Sequence, residues 1–139
     1  MKKTFKQLIE QVEDGSRKIT PQEIAEVEKY ADRLFAKVGV DVSFTKHFID
    51  RASDARNKPF ITAAELVRLF KQQYRQHGKK IPNLGPDANG VLHDMATDIN
   101  VPFILEWDPE TQMLDLVSKT VMRTPTFRTG ADQSIFSID

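Results

Sequence analysis

The sequence predicts an α+β chain in which N-terminal helices are followed by a small antiparallel β-sheet. Three observations predict it. Thr20-Pro21-Gln22-Glu23 and Thr62-Ala63-Ala64-Glu65 each set a threonine three residues ahead of a glutamate, the reciprocal cap that starts a helix. Apolar residues recur at helical spacing in the first two-thirds of the chain. From Asn100 the apolar period falls to 2, the period of a half-buried strand.

Each element has a local reason. Phe5, Leu8, Ile9 and Val12 give residues 2–14 the stripe of a short amphipathic helix that ends at Gly15-Ser16. The helix opened by Thr20 carries Pro21 at its first position and runs through Ile24, Val27, Ala31, Leu34 and Phe35 to Gly39, a natural C-cap. Val40 to Phe44 reads as a short extended connector. Thr45 caps a third helix with the stripe Phe48, Ile49, Ala52, Ala55, stopped at Asn57-Lys58-Pro59. The second capping box opens a helix with Leu66, Leu69, Phe70 and Tyr74 inward, closed by Gly78. Lys79 to Gly90 reads as loop, and residues 87–97 as a weak helix interrupted by Gly90. Val101, Phe103, Leu105 and Trp107 alternate along a strand, Asp108-Pro109-Glu110-Thr111 turns, and Leu114 to Arg123 returns as its hairpin partner. Thr126-Phe127-Arg128 reads as a third strand and Gly130 to Asp139 as a loose tail.

The totals exclude several classes. A chain of 139 residues is one domain with room for an appendage, and it buries roughly two-thirds of its unfolded surface. It has no cysteine, which removes disulfides and thiolate metal sites. No apolar run approaches a membrane span, and the lysine-bearing N-terminus lacks the apolar core of a secretory signal. The sequence contains no P-loop, GxGxxG, nucleophile elbow, HExxH or CxxC.

Charge is where the sequence becomes informative. The 20 cations and 20 anions cancel, so any basic character is local. Leu66 to Pro86 holds no acid but holds Arg68, Lys71, Arg75, His77, Lys79 and Lys80; Leu116 to Ala131 holds no acid but holds Lys119, Arg123 and Arg128. His47 and Arg51 stand four apart, on one helix face with Asp50 and Asp54. Local positive charge beside an imidazole is what holding a phosphodiester and moving its protons requires.

Each of these residues has two readings. His47 is either a partly buried histidine salt-linked to Asp50, or a general acid or base whose residue type has a reference pKa of about 6.5. A metal site from His47, Asp50 and Asp54 lacks a recognised ligand spacing. Lys119, Val121 and Arg123 would share one face of an extended strand, as phosphate-neutralising cations or as ordinary surface charge, with Thr120 a hydrogen-bond donor on the other. Arg75, Lys79, Lys80 and Arg128 are either a solvated face or a track for a nucleic-acid backbone. Trp107 and Phe127 are able to stack on bases but fit a core better.

The order His47-x-x-x-Arg51, then Ile61-Thr62 opening a helix with Glu65-Leu66, then an antiparallel pair ending in Lys119-Thr120-Val121-Met122-Arg123, resembles the barnase, EndoU, colicin E5/D and RelE-like nuclease group over residues 43–128. The resemblance implies a RelE- or barnase-like helix-then-sheet fold and metal-independent RNA cleavage. It makes His47, Arg51, Lys119, Thr120 and Arg123 the catalytic set, with no metal and no cofactor; the acid-free basic stretches make Arg75, Lys79, Lys80 and Arg128 the nucleic-acid-binding set. The long segment 78–100 between helix and hairpin departs from that pattern. The whole sequence also resembles proteins of tailed bacteriophages. Met1 to Glu10 is similar to capsid-targeting peptides of internal head proteins, with Leu8-Ile9-Glu10 matching their cleavage signal; a plain surface helix accounts for the same residues.

These readings divide the chain into an N-terminal helical extension (1–42, with the candidate targeting peptide at 1–10), an RNase-like α+β domain (43–128) and a tail (129–139). The expected function is a phage-encoded RNase-like domain that cleaves or binds RNA in the host cytoplasm or the virion interior. The competing expectation is a catalytically silent structural or packaged virion protein that binds a phage head protein, a host protein or nucleic acid. Neither involves a membrane.

Overall fold

A computed structural model describes residues 16–139 of the chain. The helix expected over 2–14 and the candidate targeting peptide lie outside the described residues. Within them the architecture is α+β. Helix α1 (Pro21–Ala36) leads to strand β1 (Val40–Phe44) and then to helices α2 (Lys46–Ala52) and α3 (Ala63–His77). A 3₁₀ turn (Pro82–Leu84) precedes β2 (Asn89–Asp94), β3 (Ile99–Asp108), β4 (Met113–Ser118), β5 (Met122–Arg123) and β6 (Gln133–Ile138).

Both capping boxes form. Thr20 Oγ1 accepts from Glu23 N–H at 3.1 Å while Glu23 Oε1 accepts from Thr20 N–H at 3.0 Å. Thr62 and Glu65 repeat the arrangement at 3.1 and 3.0 Å. Gly39 follows α1 with φ +77°, a left-handed conformation that a side chain would resist. Thr45 caps α2, which ends at Ala52, so Ala55 lies beyond the helix.

The sheet is larger than expected, and it is mixed. Its order is β1-β4-β3-β2-β6, with β5 on the end of β3. The central three strands are antiparallel, and both edge strands, β1 and β6, pair parallel to their neighbours. Four local expectations are corrected. Val40–Phe44 is a strand, paired with Leu114–Ser118. Residues 89–94 form a strand rather than a weak helix. Gly90 sits there because it faces Phe103, whose ring would lie 2.4 Å from an added Cβ. The tail is not loose, since Gln133–Ile138 pairs with β2. Thr126-Phe127-Arg128 is not a strand. The units drawn at 42/43 and 128/129 therefore contribute strands to a single sheet.

The expected strand 114–123 is broken in two. Pro102 has no N–H for a ladder, and its carbonyl lies 2.6 Å from Ser118 Oγ, which is also 2.9 Å from the Thr120 carbonyl. The chain leaves the ladder at Ser118 and rejoins β3 only at Met122 and Arg123.

The register assigns the faces. Val40, Val42, Leu116, Leu105, Val101, Leu92 and Phe136 point toward α1 and α3 and share one buried core with Ile24, Val27, Phe35, Leu66 and Phe70. Phe35 meets Phe70 and Tyr74 edge-on at 6.5 and 5.6 Å, and Phe44 stacks on Phe48 at 4.0 Å. Asp41, Ser43, Asp115, Val117, Ile104, Val91 and Ile135 point to the other face, over which Pro125, Phe127 and Thr129 fold. Edge strand β1 is closed by α1: Asp32 accepts from Val42 N–H at 2.9 Å and Glu28 from Phe44 N–H at 2.6 Å, which leaves fewer groups for edge-to-edge pairing.

Candidate functional site

The parallel pairing of β1 with β4 creates the site. Parallel strands leave a sheet at the same end, and Phe44 is in register with Ser118. One further bond, from Thr45 N–H to the Ser118 carbonyl at 3.1 Å, ties the two exits together. His47, two residues past Thr45, and Lys119, one past Ser118, therefore emerge side by side. Arg51 follows His47 by one helical turn. His47, Arg51, Lys119, Thr120 and Arg123 all line one cavity of about 610 Å³, together with Asp54, Arg56, Asn57, Val121, Met122 and Thr124.

Arg51, Arg56 and Lys119 supply cations to this cavity, and Asp54 is the anion among them. Arg51 lies 3.7 Å from Asp54, and Arg56 binds it at 2.9 Å. Hydrogen bonds from the Arg56 side chain and backbone, and the charges of Arg56 and Arg51, hold the Asp54 carboxyl down to about 2 against the effect of its desolvation. Asp54 is therefore ionised at neutral pH and has no proton to donate there; it is ion-paired with both arginines. Arg51 is about half exposed and Arg56 is 74% exposed, so both keep donors for a ligand. His47 is exposed and makes no ion pair with any described residue, unlike the salt-linked histidine of the alternative reading.

Arg123 reaches the cavity wall but has no donor left. Its Nε–H donates to Pro59 O, its Nη1 to Glu65 Oε2 and Thr97 O, and its Nη2 to Glu65 Oε1 and Phe60 O, at 2.7 to 3.1 Å. These use all five guanidinium N–H groups, and the side chain is 10% exposed. Arg123 is a strut joining β5 to the start of α3. The strand-face argument that paired it with Lys119 fails as well, because β4 ends at Ser118 and Val121 turns into the interior.

Asn57, read from sequence as a helix stop, is buried and bridges the two halves of the site. Its Nδ2 donates to Arg51 O at 2.9 Å and its Oδ1 accepts from Arg123 N–H at 2.8 Å. Asp54, Arg56 and Asn57 were missed as a group; the signal was present in the run Asp54-Ala55-Arg56-Asn57 directly after the helix carrying His47 and Arg51.

The second basic set does not join the cavity. Arg75, Lys79 and Lys80 are exposed at the far end of α3, where Arg75 lies ten residues beyond Glu65, or about 15 Å along the axis. Arg68 is committed to the buried Asp94 and to the Asp139 carbonyl. Arg128 is exposed and lies outside the cavity lining. Trp107 is half exposed at the opposite end of β3 from the site, and Phe127 lines a groove on the open face.

An acidic patch runs along edge strand β1, formed by Glu28, Asp32, Asp41, Asp108 and Asp115, with Lys29 the one cation in its lining. Burial pushes the Asp41 carboxyl up, with Asp32 and Asp108 adding to the effect. Burial also raises Asp115, assisted by Asp41, Glu106 and Asp32 and opposed by the Ser43 hydroxyl. No group of three or more His, Cys, Asp or Glu side chains among the described residues is placed to hold a metal ion, and no described helix is long and apolar enough to cross a membrane.

Compared with known proteins, the chain matches no family model, no curated sequence and no solved structure.

Proposed function

We propose that the His47 cavity binds the phosphodiester of single-stranded RNA and cleaves it by acid–base chemistry. One observation carries this reading. An exposed imidazole, two incompletely used arginines and a lysine from distant segments line one cavity. RNA is the substrate class that needs least from such a site, because its 2′-hydroxyl is an internal nucleophile. In the reaction His47 takes the 2′-hydroxyl proton as O2′ attacks phosphorus. The P–O5′ bond breaks, leaving a 2′,3′-cyclic phosphate, and the departing O5′ takes its proton from the Lys119 ammonium. Arg51 and Arg56 neutralise the charge that develops on the phosphoryl oxygens, and Thr120 offers a hydroxyl to the same group. Arg123 and Asn57 hold these parts in place and do not touch the substrate.

Incubation of the full chain with labelled single-stranded RNA in EDTA tests the reading. The parent protein is expected to give products ending in cyclic phosphate. His47→Ala is expected to lose about 10² to 10⁴ in rate, the usual contribution of a positioned acid or base. Equal cleavage by parent and variant removes His47 from the mechanism. Binding without cleavage by the parent leaves the catalytically silent nucleic-acid-binding protein in its place.

A further inference from the structure

A second, smaller cavity adjoins the first. Its volume is about 210 Å³, and Lys119 and Thr120 belong to both linings. The second cavity lies on the sheet face turned away from the helices. Its floor is apolar, from Pro102, Ile104 and Val117. Two amide side chains stand at its rim: Asn89 on β2 and Gln133 on β6, directly in register across a parallel pair. Gln133 Oε1 is already used, accepting from Gly130 N–H at 2.7 Å, so Gln133 presents only its Nε2 donors. The Asn89 amide makes no hydrogen bond to any described residue and presents both an acceptor and donors.

We propose that this cavity is the base subsite of the same RNA site, and that it takes an unpaired pyrimidine. The proposal rests on the phosphodiester reading of the neighbouring cavity. A phosphate beside Lys119 leaves its attached nucleoside next to the wall that the two cavities share. The apolar floor receives the ring, and the amides receive its Watson–Crick edge, the mode by which single-stranded RNA is read. The donor pattern selects the base. One Gln133 donor with the Asn89 acceptor and donor complements the acceptor–donor–acceptor edge of uracil, and a flip of the Asn89 amide serves cytosine. Adenine leaves the Gln133 donor facing C2–H, and guanine sets its amino group against an amide donor. The smaller volume beside the larger cation-lined cavity also suits a single small ring.

Calorimetric titration of the full chain with four probes tests this: inorganic phosphate and the 3′-monophosphates of uridine, cytidine and adenosine. The pyrimidine nucleotides are expected to bind about tenfold tighter than phosphate or the adenosine nucleotide. The Asn89→Ala, Gln133→Ala double variant is expected to lose that excess and keep the parent's phosphate affinity. Equal affinity for all four probes in the parent overturns the base subsite and leaves the anion site standing. Retention of the pyrimidine preference in the double variant overturns the assignment to these amides. No binding of phosphate or any nucleotide overturns the phosphodiester reading and this proposal with it.

Discussion

Arg123 shows what a single residue's hydrogen bonds decide. From sequence it pairs with Lys119 as a phosphate clamp; in the structure each of its N–H groups is bonded to protein. Its loss should therefore appear as lost stability. Arg123→Ala is expected to cost about 3–5 kcal/mol, because it strands Glu65 and several carbonyls; a denaturation midpoint unchanged from the parent would return Arg123 to the ligand. Glu65 makes the same point through pH. Burial raises its carboxyl, but hydrogen bonds from Arg123 and from Thr62, with the Arg123 charge, outweigh burial, and the net direction is downward from 4.5. A depressed acid stabilises the fold above its unfolded value and loses that contribution as pH falls through its folded value. Stability should therefore drop as the pH is taken below about 4.5, and Glu65→Gln should flatten that drop. An identical acid profile for parent and variant, measured by chemical denaturation, would show the ion pair to be energetically silent.

At the level of elements, the β3–β4 hairpin and the capped helix starts were legible, and the remaining strands were not. The β3 hairpin follows from its period-2 pattern and the turn at Asp108-Pro109, and both helix starts follow from their caps. Strand β2 was hidden by Gly90, which looks like a helix breaker until Phe103 is placed opposite it. Gly90→Ala is thus expected to destabilise by about 1–3 kcal/mol through overpacking, despite alanine's better local propensity, and a gain in melting temperature would contradict that packing. Strands β1 and β6 were read as connector and tail because parallel pairing joins segments far apart and leaves no turn signal between them. Leu105 and Leu116, opposed in register and fully buried, should each cost about 2–5 kcal/mol when cut to alanine. Values near zero for both would mean the hairpin presents its other face to α1 and α3.

The whole molecule separates two jobs. One sheet face and the helices make the core; the strand ends make the site. Of the residues singled out from sequence, His47, Arg51, Lys119 and Thr120 keep accessible places in one cavity, whereas Arg75, Lys79 and Lys80 lie at the far end of α3. Residue type and charge pattern were enough to nominate candidates. They were not enough to show which would meet, because the meeting depends on β1 lying parallel to β4. The neutral total hides local charge: an acidic patch along β1 and a cluster of cations at the exits of β1 and β4.

The central claim is that the exits of β1 and β4 form a single anion site. Inorganic phosphate, titrated into the protein while NMR follows the His47 ring and the Lys119 ε-methylene, tests it most directly. Both signals are expected to move along one binding curve with one dissociation constant. Movement of one without the other, or two curves with different midpoints, would contradict it.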